Sequence, residues 1–128
     1  ACGPMVPEAM RAAFILKEEA GIETRIINMH TLKPLDGAAI IRAAMETGII
    51  VTAEEHQIGA LAWPVSNIIT ASEELYGHPV LTGAIGVKDR FGDSGAPWEL
   101  IKEFEVSAEH ITRMAMHLYE RKRQAAVA

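Results

Sequence analysis

A short apolar run bounded by a glycine and by charged residues limits most strongly what this chain can fold into. Residues 49–53 (IIVTA) are almost all apolar or β-branched and show no polar alternation. Such a run is typical of a strand that is covered on both faces, as in a parallel sheet. Gly48 precedes it and Glu54-Glu55-His56 follow it. We therefore expect these three side chains at the C-terminal end of a buried strand.

Helical and strand patterns alternate along the rest of the chain. Apolar spacing and helix-end signals predict helices at residues 7–20, 37–47, 61–75 and 97–104, and a last one capped by Ser107. Residues 22–29 and 79–87 predict two further strands. This alternation implies right-handed crossovers and a mostly parallel sheet. The predicted fold class is therefore α/β, an open sheet between two layers of helices.

Composition limits the class of protein. A chain of 128 residues with 49% hydrophobic and 23% charged residues fits one globular domain, residues 1–128. The net charge of −5 disfavours nucleic-acid binding, which needs Lys and Arg to replace counterions. The sequence contains no apolar run that could span a bilayer and no signal peptide, so we expect a cytoplasmic protein without membrane contact. Cys2 is the one cysteine, which excludes an internal disulfide.

The beginning of the sequence carries a separate expectation. It reads Ala1-Cys2-Gly3-Pro4, so a turn arrives before any strand is complete. We expect the first strand of the sheet to be truncated here.

Four segments, taken together, resemble the C-terminal domain of transketolase, a thiamine-diphosphate enzyme. They are residues 1–6 (ACGPMV), 28–36 (NMHTLKPLD), 51–56 (VTAEEH) and 86–95 (GVKDRFGDSG), in the order of the family. The pyruvate dehydrogenase decarboxylase β-subunit and deoxyxylulose-phosphate synthase have related C-terminal domains. Residues 54–56 and 89–92 are most similar to the transketolase form, particularly the form with a separate C-terminal subunit.

The resemblance implies a three-layer open sheet of about five mostly parallel strands. It implies ketol transfer between sugar phosphates, as in the pentose phosphate pathway, by a homodimer with the remaining domains or an N-terminal subunit as partner. In the family, other domains hold thiamine diphosphate and Mg²⁺ through a Gly-Asp-Gly segment. Gly92-Asp93-Ser94 does not match that segment. We expect this chain alone to bind neither cofactor and to contain no catalytic residue.

Polar residues at the strand ends form the candidate site, because ligands on open parallel sheets bind there. They are Glu54, Glu55, His56, Asp89 and Arg90, together with the backbone at Gly3. One interpretation is an anion or effector pocket, in which Arg90 binds a phosphate and amides near Gly3 assist. The other is a structural ion-pair network that fixes loops or contacts a neighbouring domain, and we favour it.

Trp63 departs from the family pattern. Family members have glycines and a small residue where this chain has residues 59–64 (GALAWP). An indole there would crowd a phosphate, so we hypothesise that Trp63 packs at an interface.

The leading hypothesis is a noncatalytic component of transketolase that supports the dimer and the adjoining domain. One alternative is an independent regulatory module that senses a phosphorylated metabolite. Another is the same domain from a 2-oxoacid dehydrogenase or from deoxyxylulose-phosphate synthase.

Overall fold

The computed structural model describes residues 1–127, which form helices on both sides of a parallel sheet. The helices are α1 (Met5–Ala20), α2 (Gly37–Thr47), α3 (Ala62–Ala71), α4 (Pro97–Glu103) and α5 (Ala108–Val127). The strands are β1 (Ile49–Gln57) and β2 (Leu81–Val87), and a 3₁₀ turn covers Glu73–Leu75. The two strands are parallel, with Ile49 opposite Leu81 and Ala53 opposite Ile85.

Two separate apolar clusters show that the sheet is covered on both faces. Ala53 and Ile85 lie in a cluster with residues of α1 and α5, which include Ala12 and Ile111. The second cluster joins α2 and α3 through buried residues such as Ile40 and Val65, and Ile50 of β1 packs against it. Successive side chains of a strand point to opposite faces, so β1 contributes to both clusters. The predicted three-layer α/β class is confirmed.

The ends of α2 follow the predicted signals. The Asp36 carboxylate accepts a hydrogen bond from the Ala39 amide at 2.9 Å, as expected of a helix N-cap. Gly48 follows the helix with φ +62°, a left-handed conformation that glycine adopts without a steric cost. The ammonium of Lys122 on α5 also reaches the Thr47 carbonyl at 2.6 Å. The chain therefore turns sharply from α2 into β1.

The strand count differs from the prediction of about five. The described residues contain two strands, and the predicted strand at 22–29 is not among them. Its backbone makes ladder-type hydrogen bonds at one place: the Ala1 amino group donates to Ile27 O at 3.0 Å, and Met29 N donates to Ala1 O at 2.8 Å. A single pairing residue is too little to define a strand. Residues 22–29 consequently run beside the sheet as irregular backbone.

Several element boundaries also differ from the prediction, and α1 begins at Met5, two residues before the predicted start. The strand expected at 49–53 continues to Gln57, so residues 54–56 lie within β1 instead of after it. The helix expected at 61–75 ends at Ala71, because Ser72 takes an extended conformation (φ −80°, ψ 120°) before the 3₁₀ turn. The strand expected from residue 79 begins at Leu81. Each difference concerns the residue at which an element begins or ends, and local sequence patterns define these boundaries less well than the element itself.

The start of α5 is held by a residue distant in sequence. Glu8 of α1 is buried, and its carboxylate accepts a hydrogen bond from the Ala108 amide at 2.7 Å. The Ser107 hydroxyl, predicted to cap this helix, instead contacts His110 Nδ1 at 2.7 Å. A free amide of the first turn is thus satisfied by α1. Across residues 1–127, none of the helices is long and apolar enough to cross a membrane.

Candidate functional site at the strand ends

Glu54 organises the chain where β1 leads into α3. Its side chain is fully buried, and its two carboxylate oxygens accept hydrogen bonds from the amides of Gly59 at 2.7 Å, Leu61 at 2.7 Å and Ala62 at 3.3 Å. Leu61 is the N-cap of α3 and has no side-chain cap of its own. The carboxylate therefore satisfies free amides at the helix start, where a negative charge is also favoured by the helix dipole.

His56 and Glu55 stand beside this carboxylate in different ways. His56 Nδ1 lies 3.2 Å from Glu54 Oε2, and half of the imidazole side chain is exposed. Glu55 is exposed and points away, since alternate residues of a strand face opposite directions. The pair Glu54 and His56 is thus a contact within the strand end, and the buried carboxylate has few positions left for a ligand.

The Gly3 segment lies next to the same strand end. Gly3 has φ +53° just before α1, and the preceding amide of Cys2 donates to Ala53 O at 3.2 Å. Burial raises the pKa of the Cys2 thiol above its ordinary value of 9.0; the Ala1 ammonium opposes this shift, and the nearby carboxylates of Glu54 and Glu55 add to it. Cys2 is therefore a protonated thiol at neutral pH and is a poor nucleophile.

Arg90 is turned away from this group. Its guanidinium donates to Glu103 Oε1 at 2.8 Å and lies 4.5 Å from the centre of the Phe104 ring. Its backbone carbonyl accepts a hydrogen bond from the Gln57 side chain at 2.7 Å, which ties this loop to the end of β1. Asp89 is exposed with φ +46° and lies between the end of β2 and Arg90. An anion at Arg90 would have to compete with the Glu103 carboxylate.

Trp63 covers the turn that Glu54 holds. The indole is 72% exposed, yet its inner face packs on Gly59: a Cβ atom at Gly59 would lie 2.7 Å from Trp63 Cε2. Gly59 has φ +127°, which side-chain-bearing residues rarely adopt. The tight turn and the ring therefore depend on each other, while the outer face of the ring is open to solvent.

The predicted residues thus divide into two groups. Gly3, Glu54, His56 and Trp63 lie around the end of β1 and the start of α3, and Arg90 belongs to an exposed group with α4. Sequence reasoning missed Gln57, Glu103 and Phe104, the partners of Arg90, and Glu8. No local pattern pairs residues so far apart in sequence.

The fit of a metal-bound diphosphate can be tested on these residues. Within residues 1–127, no group of three or more His, Cys, Asp or Glu side chains is arranged to hold a metal ion. The carboxylate of exposed Asp93 accepts a hydrogen bond from the next amide, Ser94 N, at 2.8 Å. Mg²⁺ needs several oxygen ligands in near-octahedral geometry. The described residues do not fit such a site.

The fold and the strand-end turn define a three-layer α/β module whose polar groups mostly hold its own loops. Comparison with known proteins identifies the class: the family model for the transketolase C-terminal domain matches residues 1–111. The chain belongs to the transketolase C-terminal domain family.

Individual relatives agree with this assignment. The 6-deoxy-6-sulfo-D-fructose transketolase subunit SqwH of Clostridium sp. (strain MSTE9) is 38% identical over 124 residues, which are 95% of this chain and 36% of that protein. The 1-deoxy-D-xylulose-5-phosphate synthase of Heliobacterium modesticaldum is 35% identical over 98% of this chain and 19% of its own length. A solved structure described as a split gene transketolase, inactive beta4 tetramer, has a TM-score of 0.81 at 32% identity and covers 91% of this chain and 36% of that one. The chain thus spans about a third or less of these relatives.

Proposed function

We propose that this chain is the noncatalytic C-terminal part of a transketolase-type enzyme and that it supports the assembly of the remaining domains and of a homodimer. The observation that carries the proposal is the engagement of Glu54. A fully buried carboxylate that already accepts three backbone amides stabilises a turn and is poorly placed to exchange protons with a substrate.

The remaining polar side chains support the same conclusion. Arg90 pairs with Glu103 and Lys88 with Glu105, so both cations of this loop have carboxylate partners within the chain. The complete enzyme would hold thiamine diphosphate and Mg²⁺ on its other domains, where the cofactor would supply the carbanion for ketol transfer between sugar phosphates. We further propose a cytoplasmic enzyme of pentose phosphate metabolism.

Activity and binding measurements test this function directly. The purified chain should not transfer a ketol unit from a ketose phosphate to an aldose phosphate, with thiamine diphosphate and Mg²⁺ present. Activity should appear when the chain is combined with the rest of its enzyme. Turnover by the chain alone would overturn the proposal. Calorimetric binding of a sugar phosphate by the chain alone would favour a regulatory module instead.

Trp63 is the residue we propose for the contact with the neighbouring domain or subunit. The outer face of its indole is exposed beside the turn that the Glu54 carboxylate holds, and large aromatic residues are enriched at the centres of interfaces. Trp63→Ala should weaken assembly with the rest of the enzyme by about tenfold or more, since central aromatic residues often contribute 2 kcal/mol or more.

Tyr76 provides a matched control for this substitution. It is 70% exposed and lies between the 3₁₀ turn and β2, at the opposite end of the strands from Trp63. Tyr76→Ala should leave assembly unchanged. Analytical ultracentrifugation of each variant with the remaining enzyme measures both effects, and equal losses in the two variants would contradict the placement of the interface at Trp63.

A further inference from the structure

The contact between Trp63 and Gly59 shows which face of the indole is open. A Cβ atom at Gly59 would lie 2.7 Å from Cε2, 2.8 Å from Cδ2 and 3.0 Å from Cε3 of the indole. Cε2 and Cδ2 form the fused bond in the middle of the ring system, so an atom almost equally close to both lies over the ring face and not at its edge. The side chain as a whole is mostly exposed. One face of the indole is thus covered by the turn, and the other faces solvent.

The strand end beside this ring carries negative charge without a matching cation. The buried carboxylate of Glu54 accepts a hydrogen bond from the Gly59 amide at 2.7 Å, so it is one hydrogen bond away from the residue on which the indole packs. Among residues 1–127, no Lys or Arg lies within ion-pair distance of Glu54 or of exposed Glu55. The negative potential at this end of β1 is therefore not cancelled by a neighbouring cation.

The chain offers no cation of its own to the open face of Trp63. Residues 57–72, which include all of α3, contain no charged side chain. Lys88 and Arg90, the two cations that follow β2, already pair with carboxylates, and the aromatic ring beneath Arg90 is that of Phe104. A cation over the indole must therefore come from another part of the enzyme.

We propose that the open face of Trp63 receives an arginine guanidinium from the neighbouring domain or subunit. This inference rests on the proposed function, which assigns that contact to Trp63. The face of an aromatic ring is electron-rich and attracts cations, and the indole does so most strongly. The negative charge of Glu54 adds to this attraction, whereas an apolar side chain on the same face would gain nothing from it.

A guanidinium fits this face better than an ammonium group does. It is planar and weakly hydrated, so it can lie flat on the indole with little loss of hydration, and its N–H groups remain free at the rim to donate hydrogen bonds. Arginine and tryptophan are also enriched among the residues that contribute most to binding, and such residues tend to pair across an interface. The expected occupant is therefore arginine.

Substitutions at Trp63 distinguish a guanidinium from an apolar occupant. Trp63→Leu keeps much of the apolar volume but has no aromatic face, so it should weaken assembly by about tenfold, nearly as much as Trp63→Ala. Trp63→Phe has a weaker aromatic face and should fall between wild type and Trp63→Leu. Analytical ultracentrifugation of each variant with the rest of the enzyme gives the Kd. A Trp63→Leu variant that assembles as tightly as wild type would overturn the proposal.

Fluorinated tryptophan tests the same contact with little change in the shape of the ring on Gly59. Fluorine withdraws electron density from the ring face and so weakens its attraction for a cation. The chain contains two tryptophans, so in a Trp98→Phe background the fluorinated residue enters at Trp63 alone. With increasing numbers of fluorine atoms, the Kd for assembly should rise stepwise, by about tenfold in total. A constant or falling Kd would indicate an apolar occupant and would overturn the proposal.

Trp98 provides the matched control for fluorination. Its side chain is 70% exposed and lies on α4, away from the turn that Glu54 holds. Trp98→Phe should assemble as tightly as wild type. In a Trp63→Phe background, fluorinated tryptophan at Trp98 should leave the Kd unchanged. A stepwise rise there as well would mean that the response does not report on Trp63 and would contradict the inference.

The outcomes separate this inference from the proposed function. If Trp63→Ala weakens assembly but fluorination does not, Trp63 lies at the interface and the guanidinium is wrong. If the wild-type chain does not assemble with the rest of the enzyme at all, the proposed function and the guanidinium contact are both wrong.

Discussion

The end of β1 and the loop around Arg90 both combine acidic and basic residues, but they differ in how the charges are used. At the end of β1, the Glu54 carboxylate is 0% exposed and is surrounded by backbone amides. In the loop, Arg90 and Glu103 are 48% and 43% exposed and pair with each other in contact with water. The two regions therefore contain similar charged residues, but these residues contribute differently to stability.

Burial explains the difference. Removing a carboxylate from water is costly unless hydrogen bonds replace its hydration, and several amides together can do so. Once these bonds exist, removing the carboxylate leaves the buried N–H donors without an acceptor. An exposed ion pair loses little hydration and gains little, about 0–1 kcal/mol. We therefore expect substitutions at the end of β1 to affect folding and those in the Arg90 loop to have small effects.

The largest effect is expected for Glu54→Ala. It leaves the amides of Gly59 and Leu61 without an acceptor in a buried turn, so the free energy of unfolding should fall by about 3–5 kcal/mol. Glu54→Gln keeps one acceptor oxygen and should lose about half as much. Urea denaturation monitored by circular dichroism measures both values.

Glu55→Ala is the control, because this neighbouring carboxylate is exposed. Its effect should lie within about 0.5 kcal/mol, as for most surface substitutions. If Glu54→Ala and Glu55→Ala changed stability equally, the contrast between the buried and the exposed region would be wrong.

The fold was predictable where signals are local. Asp36 and Gly48 delimit α2 because a cap and a left-handed glycine act within one turn of the chain. The covered strand at residues 49–53 was predicted from its apolar composition, and the α/β class followed. The strand at 22–29 was not found, because a strand exists only through its neighbour and Ala1 alone pairs with this segment.

The candidate site was predictable in location but not in pairing. Parallel strands end at one edge, which is why residues 54–56 and 89–90 were expected near each other. Whether Glu54 contacts Arg90 or backbone amides depends on the turn at Gly59, on which the Trp63 ring packs. The partner of Arg90 is Glu103, 13 residues away and across a loop. Such contacts arise from tertiary packing, which single-sequence patterns do not encode.

A smaller effect is expected in the Arg90 loop. A double-mutant cycle of Arg90→Ala and Glu103→Ala should give a coupling below about 1 kcal/mol, reduced by salt, since both side chains are about half exposed. Arg90→Lys keeps the charge but loses the planar stacking on Phe104, which contributes about 0.5–1 kcal/mol at an exposed site. Thermal unfolding of these variants at low and high salt measures the coupling free energy and the contribution of the stacking. A coupling free energy as large as the fall in unfolding free energy for Glu54→Ala would contradict the difference between the two regions.

The smallest effect concerns Glu105, which follows α4 and pairs with Lys88 of the same loop. A hydrogen bond and the positive charge from Lys88 lower the pKa of the Glu105 carboxyl below its ordinary value of 4.5. Because the folded-state pKa is depressed, the stabilisation is present above the ordinary pKa and is lost as the pH falls through the lower folded-state pKa. An NMR titration should give a midpoint below 4.5, and Lys88→Met should move it back toward that value. Because the pair is exposed, 1 M salt should largely abolish the shift. A midpoint that is unchanged in Lys88→Met would mean that the loop is held by contacts other than its ion pairs, and the contrast with the amide-bound Glu54 would then need another cause.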